Sequence, residues 1–267
     1  MSILKEIYEY KIDFVNKQKK LRSQSDLLNK LKNITSQDFS FSKKLKDEIS
    51  RTSIIGELKR ASPSLGNFVN KEINLSNIAQ VYEECGVSCL SILTDEKYFK
   101  GSINDLIEIR KISTLPILRK DFIVDEYQVF ESKYLGADAI LLIATCLTDI
   151  EIIKLSELAK ELDLDVLVEI HSKDELKKVC IDSVDIIGVN NRNLKDFSVN
   201  VKNSIEIGKE IPESFVKISE SGLYKFEELK RLIDFGYDGF LIGELFMREV
   251  DPGYKLGNLI NQIKGES

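Results

Sequence analysis

From Ser53 onward, short apolar runs recur between amphipathic stretches: SIIGELK, VSCLSIL, PILRK, AILLI, DVLVEI, DIIGVN, FVKIS and GFLIG. The runs are too short and too β-branched for helices, and their spacing of very roughly 20–35 residues suits a repeat of strand, loop, helix, loop. Hydrophobicity within each run is continuous rather than alternating, which predicts strands covered on both faces, as in parallel sheets. The intervening patterns predict helices over Glu126–Leu135, Asp149–Glu161, 173–180 and 225–235, with Gly136 and Gly236 where left-handed C-terminal caps belong. Eight such units in about 250 residues predict an α/β fold of the (β/α)₈ barrel type; six or seven strands would give a doubly wound open sheet instead.

Residues 1–50 precede the first strand and read as helices with a break near 33–38. A barrel that closes at its eighth repeat does not need them, so they are expected to plug one end or to cover a site there. The organisation expected is one domain: a helical extension over 1–50 covering the barrel mouth, and a catalytic barrel over 51–267.

Composition narrows the picture. The 267 residues are 43% hydrophobic and 31% charged, and the scattered glycines and prolines leave no linker for a domain seam. The opening MSILKEIYEYKIDF alternates charged and apolar residues, and no window approaches a membrane span, so the cytoplasm is expected and a membrane partner is not. Cys85, Cys89, Cys146 and Cys180 form no CxxC pair and His171 is the sole histidine, which argues against structural zinc and against a disulfide framework. A net charge of −6 without a free basic block argues against nucleic acid as partner. Any anion must therefore be attracted locally. A monomer is expected, with an oligomer left open.

In a barrel the C-terminal strand ends face the active site. The first polar residues there are Glu57 and Lys59 on strand one, Lys120 with Phe122 just beyond on strand three, and Glu169 on strand five. Strand six adds Asn190 and Arg192, strand seven Ser219-Glu220-Ser221-Gly222, and strand eight Gly243-Glu244. Within PILRKDFIVDE, Lys120 is expected to point inward beside other cations, which would lower its pKa, while a neighbouring carboxylate would push it back up. Arg119 and Asp121 alternate away from it and are expected to form a structural ion pair. Gly222 and Gly243 lie where barrels build phosphate sites from backbone N–H groups, and Ser62-Pro63-Ser64 adds hydroxyls across the mouth.

With Glu57, Lys59, SPS, LRKDF, LVEIH, GVNNRNL and SESGL placed in order on successive strands, the chain resembles the indole-3-glycerol phosphate synthase family from about residue 50 to the end of strand eight. The resemblance implies a helical extension folded over the catalytic face. It also implies ring closure of 1-(2-carboxyphenylamino)-1-deoxyribulose 5-phosphate to indole-3-glycerol phosphate, with loss of CO₂ and water, in tryptophan biosynthesis. Carried over by motif, catalytic roles fall on Lys120, Glu169, Lys59, Glu57, Asn190 and Ser221. Arg192, Phe122, Leu141 and Pro63 would contact the substrate, and Ser62, Gly222, Gly243 and Glu244 its phosphate. The family often has a serine after Gly-Glu on strand eight; here it is Leu245, which puts a hydroxyl contact there in doubt but not the backbone cradle. The scheme requires no metal or organic cofactor.

Two rival readings stand beside it. A Schiff-base aldolase could use Lys120 or Lys217, and a catalytically silent barrel could merely bind phosphorylated ligands. Local alternatives also exist: Glu169 as a helix-cap partner, Glu57 as only a structural partner of Lys59, Arg192 paired with a loop carboxylate such as Asp196, Phe122 and Leu141 as plain core, and His171 as a structural residue beyond its strand end.

Overall fold

Each of the eight apolar runs forms a strand in the computed structural model, which describes residues 3–32, 39–46, 53–67, 73–193 and 196–265. The strands are β1 (Ser53–Leu58), β2 (Cys89–Leu93), β3 (Ile117–Lys120), β4 (Ala139–Ile143), β5 (Asp165–Ile170), β6 (Ile186–Asn190), β7 (Val216–Glu220) and β8 (Gly239–Ile242). They pair in parallel in chain order, and β8 returns to β1 to close the barrel. In the register, Ile55 lies beside Cys89 on one side and Leu241 on the other.

Alternation along each strand explains the continuous hydrophobicity. Ile55, Leu118, Leu141, Leu167, Ile186, Ile218 and Leu241 fill the barrel interior. Their neighbours Ile54, Ile140, Leu142, Val168, Ile187 and Phe240 belong to a separate cluster packed under the helices. Both sets are buried, and each such side chain contributes roughly 1.5–3 kcal/mol by leaving water.

The helices are α1 (Ile3–Leu21), α2 (Gln24–Leu31) and α3 (Phe41–Lys46), followed by α4 (Leu75–Cys85), α5 (Glu96–Phe99), α6 (Ile103–Ile112), α7 (Glu126–Leu135) and α8 (Asp149–Glu161). The chain continues through α9 (Lys173–Val179), α10 (Lys202–Gly208), α11 (Phe226–Asp234), α12 (Glu244–Met247) and α13 (Pro252–Lys264). Local chemistry sets the ends that the pattern predicts. Asp125 accepts from Tyr127 N to start α7, Gly136 ends it at φ +88°, and Thr148 with Glu151 forms a capping box on α8. The stretch 173–180 stops at Val179, and 225–235 shrinks by one residue at each end.

The N-terminal segment reaches both ends of the barrel. Phe41 and Leu45 of α3 join the interior cluster at the strand starts, where Ser53 Oγ donates to Leu45 O at 3.2 Å and Ser42 N to Asp165 Oδ2 at 2.7 Å. Ile3, Leu4 and Ile7 of α1 line the cavity at the opposite end. Leu27 of α2, with Val15 of α1, is buried against Tyr127 and Phe130 of α7. The expected break at 33–38 lies outside the described residues. None of the described helices is long and apolar enough to cross a membrane.

Candidate active site

The inward alternation continues past the apolar residues into polar ones. Ile55 is followed at two-residue steps by Glu57 and Lys59, Leu118 by Lys120 and Phe122, and Leu167 by Glu169. On β6 the series runs Ile186, Gly188, Asn190, and on β7 Val216, Ile218, Glu220. All these polar side chains line one cavity at the C-terminal mouth. Its wall also includes Ser62, Pro63, Leu141, Arg192, Ser221, Gly222, Gly243 and Glu244, so every site candidate from the sequence meets there.

The centre of the site is the Lys120 ammonium, held between two carboxylates. Glu169 Oε2 stands 3.3 Å away, and Glu220 Oε2 makes the closer ion pair. The other oxygen of Glu169 accepts from Asn190 Nδ2 at 3.0 Å and has His171 Nε2 at 3.4 Å. Glu57 and Lys59 form a second ion pair on the adjoining wall.

These contacts correct the expected titration of Lys120. Burial alone would lower its pKa, but Glu220, Glu169 and Glu57 together outweigh that and raise it above the usual lysine range. Carboxylates, not cations, dominate its surroundings. The two partners split accordingly. Burial would raise Glu169, yet Lys120, His171 and Asn190 hold it below the usual carboxylate range. Burial and the charges of Glu169 and Glu57 push Glu220 up to about 7 against the pull of Lys120.

Glu220 stands among the strand-end residues read from the sequence but without a role, which falls there on the adjacent Ser221. Its alternation with Val216 and Ile218 is the signal that points to it. Gly188 makes the room: a Cβ there would lie 2.3 Å from Glu220 Oε1. Ser221 instead leaves the strand at φ +68° and Gly222 follows at φ +73°, so successive residues are left-handed. A Cβ on Gly222 would also lie 2.0 Å from Val199 Cγ1. Such turns direct successive N–H groups into one concavity suited to an anion.

The remaining candidates sort by contact. Ser62 Oγ lies 3.2 Å from Ser64 Oγ. Arg192 does pair with a carboxylate, but it is Glu244 at 2.9 Å and not Asp196, which bonds Ser198. The ring of Phe122 lies 6.2 Å from that of Phe99, and Leu141 belongs to the interior cluster. The cap on α9 is made by Glu175, which accepts from the N–H groups of His171 and Ser172, leaving Glu169 to the mouth.

As expected, Arg119 faces away from the cavity, 3.4 Å from Asp121 and 2.8 Å from Glu131, whereas Asp121, expected to turn away with it, reaches the cavity wall. Lys217 also turns outward and donates to Gly208 O at 3.0 Å, so of the two imine candidates Lys120 alone is at the mouth. Among the described residues no group of three or more His, Cys, Asp and Glu side chains could hold a metal ion.

A family model described as indole-3-glycerol phosphate synthase matches residues 4–259. The chain is 42% identical over 263 residues to the indole-3-glycerol phosphate synthase of Thermoanaerobacter pseudethanolicus, covering 98% of this chain and 99% of that one. It is 46% identical over 215 residues to the protein of that description from Bacteroides thetaiotaomicron, covering 80% and 82%. Among solved structures, KGPDC from Streptococcus mutans superposes with a TM-score of 0.62 at 12% identity, covering 80% of this chain and 98% of that one. A monomeric form of the phosphoribosylanthranilate isomerase from Thermotoga maritima gives 0.56 at 11%, covering 80% and 99%. At such low identity these two structures speak for the barrel alone.

Proposed function

The chain belongs to the indole-3-glycerol phosphate synthase family, and from that premise we propose how the residues at its mouth carry out the reaction. The protein converts 1-(2-carboxyphenylamino)-1-deoxyribulose 5-phosphate to indole-3-glycerol phosphate, a step of tryptophan biosynthesis. The observation that carries the assignment of roles is the Lys120 ammonium between Glu169 and Glu220 in a cavity that also holds Lys59 and Arg192.

The aromatic carbon that bears the carboxylate attacks the ketone carbon, and Lys120 donates a proton to the ketone oxygen as negative charge develops there. A raised pKa keeps Lys120 charged but makes it a weaker acid, so its proton moves only as the ketone oxygen becomes a strongly basic alkoxide. Loss of CO₂ returns its bonding pair to the ring. The new hydroxyl then leaves as water with a proton from Lys59 or Lys120, and Glu169, ionised at neutral pH, takes a proton from the adjacent ring carbon. Two protons are given and one is taken back, so each turnover takes up one proton, as conversion of a carboxylate to CO₂ requires.

Glu57 orients Lys59, and Asn190 serves Glu169 and the sugar chain. Phe122 and Leu141 flank the aromatic ring, with Pro63 beside them, and Arg192 meets the substrate carboxylate. Ser62, Gly222, Gly243 and Glu244 receive the phosphate, the last two through backbone N–H groups at the start of α12. Ser221 supports the turn that aims them. Lys59, Lys120 and Arg192 offer cationic donors to the substrate's two anionic groups, and because each stands against a carboxylate of the wall, the attraction to a chain of net charge −6 is local to these groups. The same reading takes α1 as the part of the N-terminal extension that covers the mouth, supported by Ile3, Leu4 and Ile7 on the cavity wall, while α3 closes the opposite end of the barrel. It takes the protein as a cytoplasmic monomer with no nucleic acid partner and no cofactor.

Incubation of the purified protein with the carboxyphenylamino substrate, followed by indole absorbance or fluorescence, tests the reading. Product is expected at rates typical of biosynthetic enzymes, about 1–10³ s⁻¹. Absence of product, or borohydride trapping of substrate on Lys120, would overturn it.

A further inference from the structure

Lys11 is a charged residue buried where α1 meets the barrel. Its side chain is 3% exposed, and its ammonium lies 2.7 Å from Asp95 Oδ2 and 2.8 Å from Asp121 Oδ1. It does not line the cavity, so substrate does not account for it. A buried ammonium is costly unless it is paired, and this one is paired twice.

Each partner governs part of the mouth. Asp121 stands between Lys120 and Phe122 in the chain, and its Oδ1 accepts from Phe122 N at 2.8 Å while Oδ2 accepts from Thr94 Oγ1 at 2.6 Å. Its orientation therefore sets the exit of β3, where Lys120 ends the strand. Asp95 is the N-cap of α5, accepting from Tyr98 N at 2.7 Å, and α5 carries Phe99 against Phe122. The third element is α1 itself, whose Ile3, Leu4 and Ile7 line the cavity. One ammonium thus ties the cover, the Phe99 wall and the Lys120 strand together.

We propose that Lys11 is a positioning residue for the reaction, holding Asp95 and Asp121 so that Lys120, Phe122 and Phe99 share one fixed geometry under α1. The proposal deepens the synthase reading and rests on it. With Lys11 neutralised, Asp121 keeps Arg119 at 3.4 Å as its cationic partner and is drawn toward the outer layer. The backbone between Lys120 and Phe122 moves with it, and a displacement of about 1 Å at a reacting group costs up to about a hundredfold in rate.

Lys11→Met, Lys11→Arg, Asp95→Asn and Leu27→Ala provide the test, each assayed at a temperature where circular dichroism shows it folded. Leu27 anchors the same N-terminal segment but contacts neither Asp95 nor Asp121, so Leu27→Ala reports loss of stability alone. The expected result is kcat at least tenfold lower in Lys11→Met with KM changed less than threefold, partial recovery in Lys11→Arg, and kcat within twofold of wild type in Leu27→Ala. Should Lys11→Met not fold, Asp95→Asn decides, with kcat expected at least threefold lower. Amide exchange at Phe122 and Tyr98 is read in the same proteins and needs no turnover; protection is expected to fall at least tenfold in Lys11→Met or, failing that, measurably in Asp95→Asn. Unchanged kcat and protection in the deciding variant, or an equal loss of kcat in Leu27→Ala, overturns the proposal. A wild type without turnover whose Lys11→Met variant loses protection would sink the synthase reading and leave the clamp standing.

Discussion

Lys120 at the end of β3 and Glu220 at the end of β7 form an ion pair across the barrel mouth although 100 positions separate them in the chain. Glu220 Oε1 has no hydrogen-bond partner and faces Gly188 at close range. A carboxylate so placed needs either the ammonium or a proton.

Glu220→Gln removes this charge while keeping the shape. Glu220 titrates near 7 in the fold against about 4.5 when unfolded, so the unfolded chain ionises first as pH rises. The wild type is therefore expected to lose stability relative to Glu220→Gln as pH climbs from about 4.5 to about 7, by on the order of 2–3 kcal/mol. Urea unfolding of both proteins across that range measures it. A difference that stays flat with pH would contradict the assigned shift.

Gly188→Ala tests the same position sterically, without altering any polar residue. The added methyl meets Glu220 Oε1 at 2.3 Å and Leu167 Cδ1 at 3.1 Å, so the carboxylate must move off Lys120. A kcat loss of about tenfold or more is expected, in keeping with the sensitivity of catalysis to displacements of about 1 Å. Steady-state kinetics at wild-type levels would show that Glu220 has no fixed role.

Much of the mouth was legible because alternation carries a buried strand's direction into its first polar residues. Glu169 follows an apolar run directly and Lys120 stands one residue beyond one, so they stood out. Glu220 lies between two serines, in SES, where only its step from Val216 and Ile218 marks it as inward. The direction of the Lys120 shift was not legible, since it depends on which strand ends approach one another across the ring. Lys11 carries no signal in a helix with many lysines; its burial arises only when α1 meets Asp95 and Asp121. By contrast α7 and α8 were read with correct bounds because their caps are encoded locally, in Asp125, Gly136, Thr148 and Glu151.

Arg192→Lys shortens the fork that reaches Glu244 and replaces a planar donor with a point charge. If Arg192 binds the substrate carboxylate, KM rises about tenfold while kcat falls less, the pattern of lost uniform binding. A loss confined to kcat would instead put Arg192 in the chemical step.

Gly222→Ala places a side chain at φ +73° with its Cβ 2.0 Å from Val199 Cγ1. Strain of about 1–3 kcal/mol is expected, lowering Tm by several degrees, and KM should rise as the left-handed turn proposed to receive the phosphate opens. Calorimetry and inorganic phosphate inhibition read the two effects separately. Unchanged phosphate affinity would remove the turn from the phosphate site.

The most direct measurement is single-turnover indole formation by Lys120→Ala beside the wild type, both saturated with the carboxyphenylamino substrate. A central role for the Lys120 ammonium gives a rate lower by ~10²–10⁴ with substrate affinity less affected. A rate equal to that of the wild type would contradict it.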